Sequence, residues 1–120
     1  MPILSFKERF VPLIKSGEKK NTIRQDKGDR WAVGSTIYFW KDNPRNATMK
    51  PYKFGIGIVN KMLPISIYPT QNRIELAGLP VVDLEAFAQA DGFANWADML
   101  RFFPHNFHGV ILCWDSIELI

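Results

Sequence analysis

The chain has 120 residues, 47% of them apolar, and carries 15 Lys and Arg against 12 Asp and Glu, a formal net charge of +3. This length indicates a single domain spanning residues 1–120, for which we expect a monomer. The one cysteine, Cys113, excludes an internal disulfide, and no apolar run approaches the roughly 20 residues that cross a bilayer. The N-terminus lacks the charged-then-apolar pattern of a signal peptide. We therefore expect a cytoplasmic protein with no membrane partner.

The charge is unevenly distributed along the chain. Residues 1–60 hold 12 Lys and Arg against 5 Asp and Glu, whereas residues 61–120 hold 3 against 7. If the first half supplies one surface, that surface attracts anions such as phosphate. The alternative is that these charges only solvate the outside of the fold.

The first 30 residues contain three predicted elements. Ile3–Phe6 is short and apolar and predicts a strand. Lys7–Ser16 has its apolar residues on one helical face, and Gly17 is a suitable stop for that helix. Lys20–Arg24 then predicts a second strand, followed by a charged loop over Gln25–Arg30.

The middle of the chain is rich in strand signals. Gly34–Lys41 combines β-branched and aromatic residues and predicts a strand, and the polar segment Asp42–Met49 predicts a loop. Further strands are expected over Tyr52–Asn60, Ile65–Tyr68 and Arg73–Leu76, with a break at the proline that precedes the second of these.

The last third predicts two short helices and a final strand. Val82–Ala90 is expected to be helical with Asp83 as its N-cap, and Asn95 is expected to cap a helix that runs to Phe103. The apolar run in His108–Asp115 predicts a buried last strand. This order lacks the regular alternation of a parallel sheet. It favours an α+β fold, in which mixed, mostly antiparallel strands close into a small β-barrel with short helices at its rim.

The most informative segment is residues 17–24, which has the form G-x-K-x-x-T-x-R. If the segment after Lys19 is extended, Lys20, Thr22 and Arg24 share one face because side chains alternate along a strand. Two cations and a hydroxyl on one face suit an anionic or carbonyl-bearing ligand. The alternative is an amphipathic strand with a solvated polar face.

The chain resembles an ASCH domain, a family known by this G-x-K-x-x-T-x-R segment near its N-terminus. In that family a helix ending in an acidic residue, Gly and Phe follows, as in Ala88–Phe93. A short helix with an aromatic end is matched by Trp96–Phe103, and a closing strand introduced by glycine is matched by Gly109–Trp114. These motifs occur in order over nearly the whole chain, so the set is more specific than any one motif.

The resemblance implies a PUA-like β-barrel with a cleft beside the lysine–threonine–arginine segment. ASCH domains are broadly regarded as RNA-binding, and some small bacterial members are amidohydrolases that remove the acyl group from N4-acylated cytosine nucleosides. Their catalytic lysine, threonine and glutamate fall on Lys19, Thr22 and Asp91, the last being one methylene shorter than glutamate. This chain is also longer than the smallest of those enzymes, over Lys41–Lys53.

Strand periodicity and the family pattern disagree about which lysine belongs to the site. Periodicity places Lys20 on the face of Thr22, whereas the family pattern selects Lys19. Both hold only if the chain turns or bulges after Gly17. Asp91 has a structural alternative as well, because an acidic residue before glycine commonly ends a helix in a turn.

Three further residues are candidates for contacts with a substrate or RNA. Arg24 and Lys20 suit a phosphate or a carbonyl oxygen, with a surface salt bridge as the alternative for Arg24. Trp31 suits stacking on a base, with a place in the core as its alternative. His105 and His108 lack the partners of a zinc site, so no metal and no cofactor is expected.

These residues leave three functions open. The first is a metal-independent amidohydrolase that acts on N4-acylated cytosine. The second is a non-catalytic module that binds single-stranded RNA in the same cleft. The third is an interaction domain whose cleft is a vestige.

Overall fold

The structure is a computed structural model that describes residues 3–25 and 31–120. The strands are Ile3–Phe6 (β1), Asn21–Arg24 (β2), Thr36–Lys41 (β3), Tyr52–Ile58 (β4), Lys61–Tyr68 (β5), Arg73–Leu76 (β6), Leu79–Pro80 (β7), Phe107–Cys113 (β8) and Ile117–Leu119 (β9). The α-helices are Val11–Ser16 (α1), Leu84–Ala90 (α2) and Trp96–Phe102 (α3). Short 3-10 helices occupy Glu8–Phe10, Ala47–Met49 and Pro69–Gln71.

The strands form two sheets. One has the order β1-β3-β4-β9 and the other β2-β8-β5-β6-β7. The β1–β3 pair is parallel, and the remaining described pairs are antiparallel. The α+β class and the mixed, mostly antiparallel pairing are thus confirmed, whereas closure into a single barrel stays a prediction.

One hydrophobic core joins the two sheets. Phe39 of β3 is fully buried, and its ring lies 5.9 Å from Phe6, 5.9 Å from Phe54 and 4.9 Å from Trp114, measured between centroids. Phe6 and Phe54 belong to the first sheet, whereas Trp114 directly follows β8 of the second. Burying an aromatic side chain of this size stabilises a fold by about 1.5–3 kcal/mol. These rings therefore fix the sheets against each other.

The helices begin and end within two residues of the predicted positions. The first predicted helix is a 3-10 turn that continues into α1, and Gly17 ends it in the left-handed region, at φ 87°. Asp83 accepts a hydrogen bond from the Ala86 amide at 3.0 Å, and Asn95 accepts one from the Asp98 amide at 2.8 Å. Both predicted N-caps are thereby confirmed.

The predicted break before Ile65–Tyr68 is wrong, because β5 runs without interruption from Lys61. Pro64 pairs with Val110 of β8 on one side of the strand. On its other side, the pairing of β5 with β6 begins only at Ile65, and the Pro64 carbonyl accepts a hydrogen bond from the Ala77 amide at 2.9 Å. Pro64 therefore lies just outside the β5–β6 ladder, so its missing N–H group costs no hydrogen bond of that ladder.

The strand predicted as the last one is followed by another. β8 ends at Cys113, and β9 pairs with β4 as an edge strand. A Cβ on Gly55 of β4 would lie 2.3 Å from the Ile117 Cδ1 atom. The absence of a side chain at Gly55 is what lets β9 lie there. The two-residue strand β7 was not predicted either.

Residues 26–30 of the predicted charged loop lie outside the described residues. In the two described ranges, no helix has both the length and the apolar character needed to cross a membrane.

Candidate functional site

The turn after α1 decides which lysine faces inward. Gly17 ends α1, and the Lys19 amide donates to the Leu13 carbonyl at 3.0 Å. The chain therefore turns before β2 begins at Asn21, and strand alternation does not apply to the two lysines. Lys19 is 3% exposed, whereas Lys20 lies on the surface. The family pattern, rather than the strand period, identifies the lysine that faces the interior.

The Lys19 amine is paired with Asp91. Its Nζ donates to the Asp91 backbone carbonyl and lies 2.9 Å from the Asp91 Oδ1 atom. The amine also lies 5.1 Å from the centroid of the Phe10 ring. Asp91 caps the end of α2 and is 3% exposed, so both members of this ion pair are buried. The shorter aspartate therefore still reaches the lysine.

Burial disfavours the charged form of each partner. It lowers the pKa of the Lys19 amine below its ordinary value, against the opposing attraction of Asp91. The positive charge of Arg24 lowers that pKa further. Burial likewise raises the pKa of Asp91, with the charge of Lys19 opposing the rise. The site thus holds an amine that loses its proton more readily than a solvated lysine.

Thr22 and Arg24 are held together on β2. The Arg24 Nε atom donates to the Thr22 Oγ1 atom at 3.2 Å, and its Nη2 atom donates to the Ser5 carbonyl at 2.8 Å. The guanidinium also lies 4.9 Å from the centroid of the Phe6 ring. Two of the five guanidinium N–H donors are used in these bonds. Among the described residues no further hydrogen-bond partner of this guanidinium is found, so its other N–H groups suit a carbonyl or phosphate oxygen.

These side chains line one cleft of about 230 Å³. The cleft brings together four sequence-predicted site residues, namely Lys19, Thr22, Arg24 and Asp91. The remaining lining residues are Ser5, Phe6, Lys7, Phe10, Ile23, Phe93, Phe102 and Phe103. The cleft is therefore polar at one end and aromatic over much of its wall.

The aromatic wall was not identified from the sequence. Phe10, Phe93 and Phe102 contact one another edge to face, with centroids 4.9–5.8 Å apart. Phe10 and Phe102 were visible as apolar residues within predicted helices, which also describes ordinary core residues, and Phe93 as the last residue of the acidic-Gly-Phe motif. Only the approach of the 3-10 helix before α1, the turn after α2 and the end of α3 shows that these rings face a cleft.

Lys20 and Trp31 lie apart from this group. Lys20 is exposed and is not among the residues that line the cleft. Trp31 is 4% exposed and belongs to the core cluster, although it lines a neighbouring cleft that shares Ser5 and Arg24 with the first. Within residues 3–25 and 31–120, no group of three or more His, Cys, Asp or Glu is placed to hold a metal ion.

Gly92 packs closely against the Lys19 side chain, and we expect Gly92→Ala to destabilise the protein by about 2–4 kcal/mol. Its φ is +98°, and a Cβ would lie 2.9 Å from both the Lys19 Cδ atom and the Phe10 Cδ1 atom. Urea unfolding measures the loss. Gly78→Ala is the matched control, because Gly78 has φ +82° but nothing within 4 Å of its Cβ position. Equal losses in both variants would show that the close packing at Gly92 is unimportant.

No protein-family model matches the chain, and no curated protein matches it. A solved structure does match, namely a crystal structure of a mutant of the protein ZmASCH from Zymomonas mobilis. The match covers 98% of this chain and 73% of that one, with a TM-score of 0.59 and 12% sequence identity. At this identity the likeness concerns the course of the backbone alone. The chain therefore has the fold of an ASCH protein, as its sequence motifs predict.

Proposed function

We propose that the protein is a metal-independent amidohydrolase that removes an acyl group from an N4-acylated cytosine. One observation carries the proposal. The lysine, threonine and acidic residue that the motif pattern selects line a single cleft, although Asp91 lies 72 residues from Lys19 in the chain. Amide hydrolysis needs a nucleophile, a proton acceptor and a donor for the oxyanion, and this cleft contains a group for each.

Thr22 supplies the nucleophile in this proposal. Its Oγ1 atom accepts the hydrogen bond from Arg24, so its own hydrogen is available to a base. Attack on the acyl carbon forms a tetrahedral intermediate whose oxyanion needs hydrogen-bond donors. Arg24 lines the same cleft, and its N–H groups that bond to no described residue serve as these donors in the proposal.

Lys19 acts as the base. Among the described residues its Nζ has two hydrogen-bond acceptors, both on Asp91. The neutral amine has two N–H groups, so pairing both with Asp91 leaves its lone pair for the hydroxyl proton. Asp91 thus orients the amine, and the lowered pKa of Lys19 increases the neutral fraction.

The reaction balances without a cofactor. The threonine hydroxyl proton passes to Lys19 and then to the leaving N4 nitrogen, which departs as the free cytosine amine. Water then cleaves the acyl–threonine ester, which releases a carboxylic acid and restores the hydroxyl. The cleft volume of about 230 Å³ suits one aromatic ring with a small substituent, since a cavity of about 150 Å³ holds benzene.

Hydrolysis of N4-acetylcytidine by the purified wild type tests the proposal. We expect chromatography to show cytidine and acetate formed in equal amounts, at a rate proportional to the enzyme concentration. The same protein after heat inactivation is the control. The substrates should include several N4-acylcytidines that differ in the acyl group. If none of them yields cytidine, although cooperative unfolding shows that the protein is folded, the proposal is contradicted.

The rate should depend on pH through Lys19. The neutral amine is the active form, and its fraction rises as the pH rises through the pKa of the folded protein. Because burial lowers that pKa from 10.5, we expect kcat/KM to rise and level off at a lower pH than a solvated lysine would require. Initial rates over a pH series, corrected for uncatalysed hydrolysis, measure the midpoint. A midpoint at or above 10.5 would exclude Lys19 as the base.

A non-catalytic module that binds single-stranded RNA is the second candidate. The buried ion pair between Lys19 and Asp91 favours it, because such a pair also serves a purely structural role. Binding of this kind weakens steeply with salt, since phosphate contacts release counterions. Titration of a short RNA at several salt concentrations measures this dependence. A steep loss of affinity with salt, together with no turnover of acylated cytidine, would support this function.

A further inference from the structure

A second cleft adjoins the first. It has a volume of about 500 Å³ and is lined by Ile3, Leu4, Ser5, Arg24, Gln25, Trp31, Asn43, Pro44 and Arg45. Among these described lining residues, two are arginines and none has a carboxylate. The described part of this lining is therefore positively charged, and the amide groups of Gln25 and Asn43 add neutral donors. A cleft of this composition suits an anion.

The loop between β3 and β4 places Arg45 at this cleft. The Asp42 amide donates to the Phe6 carbonyl at 2.9 Å, which ties the start of the loop to β1. The Arg45 amide donates to the Asn43 side chain, also at 2.9 Å. At the far end, the Lys41 amine donates to the Met49 carbonyl at 2.7 Å. The loop is thus tied down at both ends, so the Arg45 backbone is held beside β1.

The Arg45 guanidinium is available to a ligand. It is exposed, and no described residue forms an ion pair or hydrogen bond with it. Arg24 differs, because Ser5 and Thr22 fix its orientation. Arg24 and Ser5 line both clefts and so form the wall between them. A ligand whose cytosine ring occupies the first cleft can therefore extend past Arg24 toward Arg45.

We propose that the second cleft is a phosphate subsite, which makes the preferred substrate a nucleotide rather than a free nucleoside. This inference rests on the proposed function, which places the cytosine ring in the first cleft. The phosphate belongs to a mononucleotide or to a phosphodiester of single-stranded RNA, since both present the same oxygens to Arg45. Arg45 acts in binding, whereas the bond-breaking residues lie in the first cleft.

The test compares ligands with and without phosphate. Calorimetry measures the binding of cytidine, cytidine 5′-monophosphate, cytidine 3′-monophosphate and a short single-stranded RNA to the full chain. Hydrolysis assays use the corresponding N4-acetylated compounds. We expect Arg45→Ala to weaken binding of a phosphorylated ligand roughly tenfold and to leave cytidine unaffected. Arg73→Ala is the control, because it removes the same charge from an exposed site on β6 outside both clefts.

The outcomes separate the subsite from the hydrolase. Preference for one monophosphate, lost in Arg45→Ala but kept in Arg73→Ala, identifies a terminal phosphate, whereas preference for the RNA alone identifies a phosphodiester. The same preference without any hydrolysis supports the subsite and rejects the amidohydrolase. Hydrolysis of N4-acetylcytidine with no preference for phosphate, or equal losses in both variants, overturns the subsite.

Discussion

Replacing Lys19 by methionine should lower hydrolysis of N4-acetylcytidine by about 10²–10⁴-fold, the usual contribution of a general base. The same change should reduce the free energy of unfolding at neutral pH by about 3–5 kcal/mol, because Asp91 is then buried without its partner cation. Assays of kcat/KM and urea unfolding measure the two effects. Lys20→Met is the matched control, since that lysine is exposed, and it should change stability by less than about 0.5 kcal/mol.

The pH dependence of this loss separates charge from packing. Without Lys19, the folded protein holds Asp91 with a pKa above its unfolded value, so the folded state binds more protons than the unfolded state. The stability deficit should therefore shrink as the pH falls and grow as the pH rises. A deficit that is constant with pH would show that lost packing, rather than an unpaired carboxylate, causes it.

A second variant separates stability from catalysis. Lys19→Met combined with Asp91→Asn leaves no buried charge in the pair, so it should recover part of the lost stability. It should recover none of the activity, because the base is still missing. If the double variant hydrolyses the substrate as well as the wild type, the proposed role of Lys19 is wrong.

The choice between Lys19 and Lys20 shows what a local pattern can predict. Periodicity of two is correct within β2, where Thr22 and Arg24 are joined by a hydrogen bond on one side of the strand. The same periodicity does not extend to Lys20, because the strand begins only at Asn21, after the turn that Gly17 starts. The glycine was visible in the sequence, but the extent of the turn was not. The ordered motifs carried the information that periodicity lacked.

The strands show a similar limit of prediction from the sequence. Strands with clustered β-branched residues, such as β3, were predicted within two residues of their observed bounds. β9 was missed because three residues give too little periodicity, and its place depends on the open surface over Gly55. The second cleft was not predicted either, because Arg45 and Arg24 are brought together only by the pairing of β1 with β3.

Thr22→Val should lower kcat by roughly 10³-fold or more, as expected when a nucleophile is removed. Valine keeps the shape of threonine but has no hydroxyl, so the acyl group has no oxygen to which it can be transferred. The loss of the acceptor for the Arg24 Nε atom should cost about 1–3 kcal/mol of stability, which still leaves a folded protein to assay. Steady-state kinetics with N4-acetylcytidine measure the effect.

Thr22→Ser is the matched variant, because it keeps the hydroxyl and removes only the methyl group. It should retain most of the activity, and intact-protein mass spectrometry of a quenched reaction should detect the acyl adduct on wild type and Thr22→Ser but not on Thr22→Val. Since Thr22 is 5% exposed and fixed by the pairing of β2 with β8, both variants should keep the strand in register. Turnover by Thr22→Val at the wild-type rate would mean that water attacks the acyl carbon directly, with Lys19 activating that water instead of the threonine.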